Sequence, residues 1–418
     1  MRTSVPLVLV PLAASTVSAW GFAGHSIVAT IAEIHLHPSV LEYVRSPASA
    51  LLPEYAKGHL APVASWPDRI RMVPEYRGWS GQLHYASWLG DHPPETCAWP
   101  SDDGSEEVPI ETRRASEENG APVERGQRMG SGWKNENDVL HAIANYTSRL
   151  ERNPEDWESL RFLIHFIGDA HQPMHLTNRE RGGNGDPVRW EGRRANLHGL
   201  WDNLLLSRKL REQRNYTDPL PSQQIESALT GAIYDPLIRL LLWEGVRNWW
   251  RSSLPSWLAC PASPLGSPLA SEGSSTTQLA FRADPRRATS TLDSIVCPVH
   301  WASQTHKVTC SLAFPDDYNE HEQPPREVGG NTAYYRAIAD SLTIERLLTQ
   351  AGLRLAATLN SVLREPASLY LSRSNASAGV ASEEEEGPLN LRWIDQADEV
   401  SDEDGPGFLV RKRLRSTD

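Results

Sequence analysis

Histidine precedes aspartate by four residues twice in this chain. His165 and Asp169 lie in Arg161-Phe-Leu-Ile-His165-Phe-Ile-Gly-Asp169, and His198 and Asp202 in Asn196-Leu-His198-Gly-Leu-Trp-Asp202. On a helix, positions i and i+4 share a face, so each pair can aim a neutral nitrogen and a carboxylate oxygen at one ion. That donor set suits zinc. One such pair alone is more often a surface pair. His165 and Asp169, however, sit among Phe162, Leu163, Ile164, Phe166 and Ile167, where an unpaired carboxylate is costly to desolvate. Between the pairs runs Asp169-Ala-His171-Gln-Pro173-Met-His175. Pro173 bends or ends the helix, which lets His175 leave that face and approach a second ion. Upstream, Asp68 in Trp66-Pro67-Asp68 and His84 in Leu83-His84-Tyr85 are ligand types beside aromatic neighbours. Each alone reads as a satisfied core residue, and only the company raises it.

Residues 1–19 carry Arg2, an apolar run from Val5 to Ala14, and a small-residue ending, Val17-Ser18-Ala19. This is the pattern of a cleaved signal peptide. The run is too short for the roughly 20 residues of a membrane span, so the expectation is a secreted, soluble protein. Cleavage would free the α-amine of Trp20, whose ordinary pKa of about 8 lets a metal displace its proton. The amine and carbonyl of Trp20 form a chelate, and His25 lies about one helical turn further on. The plainer reading makes Trp20 the first core residue of a helix.

The elements that must position these groups read as helical. Apolar residues recur at helical spacing across most of the 418 residues, and alternating strand patterns are scarce. Residues 101–131 and 261–290 read as loops. Beyond Glu365 the composition is that of a disordered tail, 365–418, acidic and then basic. The four cysteines allow three pairings. Asn145, Asn215 and Asn375 begin glycosylation acceptor triplets. A net charge of −12 argues against holding nucleic acid through a broad basic face. It leaves room for an acidic enzyme that meets phosphates through bound cations.

Taken together, Trp20-Gly-x-x-Gly-His25, Trp66-x-Asp68, Leu83-His84-Tyr85, Arg161-Phe-Leu-x-His165-Phe-x-Gly-Asp169, Gln172-Pro-x-His175, Gly182-Gly-Asn184 and Asn196-Leu-His198-x-x-Trp201-Asp202 resemble the secreted single-strand-specific zinc nucleases and 3′-nucleotidases of fungi and plants. Those enzymes are relatives of the zinc-dependent phospholipases C. The resemblance is strongest from Trp20 to Asp202 and continues more weakly to the helix ending near Leu363. It implies an all-α, single multi-helix domain over 20–364, with three zinc ions at the bottom of a cleft. Asp68, His84, His165 and Asp169 would hold one ion; His175, His198 and Asp202 a second; the Trp20 amine and carbonyl, His25 and again Asp169 a third. His171 matches no ligand position.

The implied reaction is hydrolysis of single-stranded DNA and RNA to 5′-phosphorylated products, with removal of 3′-phosphates from nucleotides, by a zinc-activated water. Asp68 would orient that water, Arg71 would meet the phosphate, and Tyr85 would stack a splayed-out base. Some members carry an Asp two residues after that aromatic; here it is Ser87, so base preference is expected to differ. Tyr85 and the Gly182-Gly-Asn184 stretch favour a nucleotide substrate over the phospholipid alternative. A catalytically inactive secreted protein that binds zinc or nucleotides is the third reading; it would require a broken ligand set, and all nine ligand positions are filled. The family-like disulfides would be Cys97–Cys310 and Cys260–Cys297. Residues 101–131 and 261–290 look like insertions relative to the family core. No membrane span and no obligate protein partner are evident.

Overall fold

The computed structural model describes residues 20–99, 137–260, 296–316, 318, 322–374 and 387–398. Residues 1–19, expected to be a leader, residues 101–131 and 261–290, expected to be loops, and Asn375 therefore lie outside the described residues. The architecture is helical, as the periodicity predicts. α1 (Phe22–Ile34) is buried at every position from Gly24 onward, which marks a core helix. α2 (Pro38–Arg45) opens on a proline in its first turn, where a missing N–H costs nothing. The short α3 (Trp66–Ile70) follows. α4 (Val139–Arg152) and α5 (Trp157–Asp169) start on aspartate caps: Asp138 accepts from the backbone N–H groups of Leu140 and His141, and Asp156 from that of Ser159.

α6 is continuous but changes pitch. It is α-helical over Leu197–Gly199, π-helical over Leu200–Leu204, and α-helical again over Leu205–Glu212. α7 (Asp235–Leu240) likewise widens into a π-helical stretch, Leu241–Trp249, and α8 (Pro298–Val308) into Thr309–Ala313. α9 (Ala333–Asp340) leads to α10 (Thr343–Ser374), the 32-residue spine. α10 packs on α1, α2, α4 and α5 together, so the helices that carry His25, His165 and Asp169 share one wall. Among the described residues the one sheet is a hairpin, β1 (Pro187–Trp190) with β2 (Arg193–Asn196), paired antiparallel. The hairpin delivers Asn196, whose side-chain oxygen accepts from the Gly199 N–H at 2.7 Å and caps α6.

The disulfides are Cys97–Cys310 and Cys260–Cys297, the pairing that the resemblance implies. The first ties the segment after Tyr85 to the π-helical turn that follows α8. Asn215 is exposed in a turn. Asn145 instead lies inside α4, and the buried Thr147 hydroxyl of its triplet donates to Ile143 O at 2.7 Å, so this triplet is not on the surface loop expected of an acceptor.

The tail expectation needs correction in two places. α10 runs on to Ser374, carrying Pro366 inside it, because Ala367 and Leu371 continue its buried stripe. Residues 387–398 return to the body and form α11 (Arg392–Asp398). Leu389, Trp393 and Ile394 are buried, the Trp393 ring stands edge-on to His35 at 6.1 Å, and the Asn390 N–H donates to His35 O at 3.0 Å. The acidic composition around them hid this short apolar anchor. Truncating Trp393 to alanine in the full chain is predicted to cost about 3–5 kcal/mol. Denaturant midpoints with an unchanged slope would show it; an unshifted midpoint would mean that 387–398 does not anchor.

Candidate metal centre and active site

α5 supplies the middle of the site. His165 and Asp169, one turn apart, are both fully buried on its inner face. The helix ends at Asp169 itself, and Pro173 begins a tight 3-10 turn, Pro173–Leu176, that turns His175 back toward the cluster. α3 brings Asp68, and a second 3-10 turn, Ser80–His84, brings His84. α6 brings His198 and Asp202, with Asp202 on the π-helical stretch, a geometry that often marks functional sites.

Asp169 is where these elements meet. Its Oδ2 lies 2.9 Å from His84 Nδ1 and 3.4 Å from His165 Nε2, and its Oδ1 lies 3.4 Å from His25 Nε2 and 3.7 Å from His175 Nδ1. Asp68 completes the first group, 4.0 Å from His84 Nδ1 and 3.8 Å from His165 Nε2. In the second group Asp202 lies 3.2 Å from His198 Nε2 and 3.9 Å from His175 Nε2. His25 stacks on His165 with ring centroids 3.7 Å apart. Gly168 makes room for it, since a Cβ there would stand 2.8 Å from His25 Nδ1. Trp20 is fully buried, and the Gly21 N–H donates to Asp202 O at 2.8 Å. The residues that lead into α1 are thereby pinned against the α6 turn that carries Asp202.

Backbone carbonyls fix which face of three imidazoles looks inward. His165 Nδ1 donates to Ala64 O (2.7 Å), His175 Nδ1 to His84 O (2.7 Å) and His198 Nδ1 to Gly182 O (2.6 Å). Each leaves Nε2 as a lone-pair donor toward the cluster, the usual outer-shell arrangement of a metal-binding histidine. Gly182 can present its carbonyl because it has φ +66°, and a Cβ would lie 2.7 Å from Met174 O. Gln172 Nε2 donates to Asp202 Oδ1 at 2.5 Å.

The electrostatics are those of a cation site. Burial, and then neighbouring histidines, hold His25 well below the ordinary imidazole range. Burial lowers His84 and His175 in the same way, with the neighbouring His165 and His198 respectively adding most to it. Burial lowers His165 too. All four rings are thus neutral and able to donate a lone pair. Burial also pushes Asp169 well above the carboxylate range, and Asp68 and Asp202 push it further. His198 is the exception: burial lowers it, but Asp202 outweighs that and leaves it raised. His25 Nε2, His175 Nε2, His198 Nε2 and Asp169 Oδ1 face the cluster and are buried with no hydrogen-bond partner. Buried polar atoms are almost always satisfied, so this set fits divalent cations, and the His/Asp donor chemistry fits zinc.

The other sequence candidates fall around this cluster. Tyr85 lies over the second group, its ring 4.5 Å from that of His175 and 6.1 Å from that of His198. Arg71 Nη2 is 3.4 Å from Asp68 Oδ1. Ser87 is half-buried two residues beyond Tyr85. Asn184 Nδ2 donates to Arg181 O at 2.9 Å, in the turn that offers the Gly182 carbonyl. His171 points away: its Nδ1 donates to Ile167 O, and its Nε2 accepts from Arg354, a buried guanidinium that desolvation pushes down to about 9. Gln172 was visible only as part of a motif. The spacing of the sequence gives no sign of the orienting carbonyls or of the clearance at Gly168.

The family model for S1/P1 Nuclease matches residues 20–260, more than half of the chain. Endonuclease 3 and Endonuclease 4 of Arabidopsis thaliana are 27% and 28% identical, each over 82% of this chain and over 88% and 89% of their own lengths. Nuclease P1 of Penicillium citrinum is 30% identical over 44% of this chain and 58% of its own.

Two substitutions test the geometry by metal content. Asp169→Asn is predicted to release metal from both groups that it faces. Gly168→Ala is predicted to lower the bound metal per chain by displacing His25. Elemental analysis of dialysed protein decides both; wild-type metal content in either variant would contradict the arrangement.

Proposed function

The chain belongs to the S1/P1 nuclease family, and from that premise we propose that it is a secreted, zinc-dependent nuclease of single-stranded DNA and RNA that also removes 3′-phosphates from nucleotides. One observation carries the reading. The fully buried Asp169 carboxylate turns one oxygen to His84 and His165 and the other to His25, so a single side chain is placed to bridge two ions. In this reading Asp68, His84, His165 and Asp169 hold the first zinc ion, His175, His198 and Asp202 the second, and Trp20, His25 and Asp169 the third. Bound zinc supplies Lewis-acid polarisation of a phosphoryl oxygen and a water that ionises near neutral pH.

The remaining steps belong to side chains. Asp68, beside His84 and His165 and only slightly exposed, accepts a hydrogen bond from the attacking water and orients it. Arg71, paired to Asp68 and partly exposed, places a permanent positive charge beside the phosphate as negative charge accumulates. Tyr85 offers its ring to a base over the His175–His198 pair, which a stacked duplex cannot reach. Ser87 gives that base a neutral donor and acceptor, and Asn184 is a further polar group proposed to meet the substrate. The base-stacking position of Tyr85 favours nucleotides over phospholipid headgroups. Residues 1–19 act as the export signal that exposes the Trp20 amine, and no helix among the described residues is long and apolar enough to cross a membrane.

Release of 5′-nucleotides from single-stranded and duplex DNA by Trp20-started protein tests the proposal. Cleavage is expected for the single strand only. It should be lost with a chelator, restored by zinc, and reduced at least about a hundredfold in Asp169→Asn. Equal cleavage of duplex, or full activity in the chelator, would overturn it.

A further inference from the structure

Trp157, Arg161, His165 and Asp169 follow one another at intervals of four along α5. Residues so spaced share one stripe of a helix, so the stripe that enters the metal centre at Asp169 reaches the surface at Trp157. At 1.5 Å per residue the run is about 18 Å. Its outer end is built unlike an ordinary surface. Trp157 is 39% exposed. The Arg161 guanidinium lies over its ring at 4.2 Å, and over that of Trp66 at 5.4 Å. Trp66 itself packs edge-on to Trp157 at 5.6 Å and stands two residues before Asp68, joining the platform to the centre through α3. The Arg161 Nε is buried without a hydrogen-bond partner, and among the described residues no carboxylate pairs with this guanidinium. The nearby Glu158 is engaged elsewhere, accepting from Tyr76 Oη at 2.9 Å and from Arg149 Nη2 at 3.1 Å.

We infer that Trp157 and Arg161 form a distal subsite that binds a nucleotide of the single-stranded substrate a few positions away from the scissile phosphate. A base stacks on the exposed indole, and its phosphate meets the unpaired guanidinium. Both halves of the ligand are specified. An exposed indole accepts any base face, and a fixed cation without a carboxylate partner suits a phosphate. Continuity with Asp68 through Trp66, and with His165 through the α5 stripe, selects the substrate strand as the occupant. The inference rests on the nuclease reading above.

Kinetics on a single-stranded decamer and on a dinucleotide, with zinc-loaded wild type, Trp157→Ala and Arg161→Gln, test it. The ratio of KM for the decamer to KM for the dinucleotide is expected to rise about tenfold in either variant. In Arg161→Gln the salt dependence of decamer binding should fall by about one charge. Dinucleotide turnover reports whether each variant is folded. Anisotropy with a non-cleavable phosphorothioate decamer measures the subsite independently of cleavage, and about tenfold weaker binding is expected. Failure of the wild type to cut the decamer would sink the nuclease reading alone. A KM ratio and a decamer affinity both within about twofold of wild type would overturn the subsite.

Discussion

Everything in this protein is arranged around a carboxylate that should not be where it is. Asp169 is fully buried at the end of an apolar helix, where a lone charge costs several kcal/mol to desolvate. Asp68 and Asp202 are close enough to push its proton affinity up further, so its charged form needs a compensating positive charge, which a bound cation would supply. Neutral histidines on α1, α5 and the two 3-10 turns supply the complementary lone pairs. The fold can be read as the apparatus that holds four separate stretches of chain against that one side chain.

The packing explains how such precision is reached without short-range design. α10 lies against α1, α2, α4 and α5 at once, so the helices that bear His25, His165 and Asp169 cannot slide relative to one another. Trp20 is buried at the start of α1 and bonded through Gly21 to the backbone of Asp202. The Cys97–Cys310 bridge holds the segment beyond Tyr85 and Ser87 to the turn after α8. There Thr309 Oγ1 donates to Pro173 O at 2.8 Å and so braces the turn that presents His175. Rigid elements around the His/Asp cluster hold its donor atoms in fixed relative positions, as a metal or substrate site requires.

The chemistry was the most legible part in the sequence, and for a physical reason. Ligands must be particular residue types, and the i, i+4 spacing of His165 with Asp169 and of His198 with Asp202 follows from helix geometry. Their orientation was not legible. The groups that aim His165, His175 and His198 are backbone carbonyls of Ala64, His84 and Gly182, and a carbonyl has no residue identity. The space for His25 is the absence of a side chain at Gly168, which means something only once α1 and α5 are packed. The π-helical turn under Asp202 leaves the apolar pattern of α6 unchanged. Composition misled at the C-terminal end, where Leu389, Trp393 and Ile394 are too few to outweigh the acidic residues around them, yet dock on His35.

The central claim is that Asp169 is shared between two cations and that Trp20 and His25 hold one of them. Anomalous diffraction at the zinc edge, from crystals of the protein beginning at Trp20, tests it directly. The account predicts one peak between Asp169 Oδ2 and the His84–His165 pair, another between Asp169 Oδ1, His25 and the Trp20 terminus, and a third among His175, His198 and Asp202. A zinc-loaded crystal with no peak beside Asp169, or with peaks only among His175, His198 and Asp202, would contradict it.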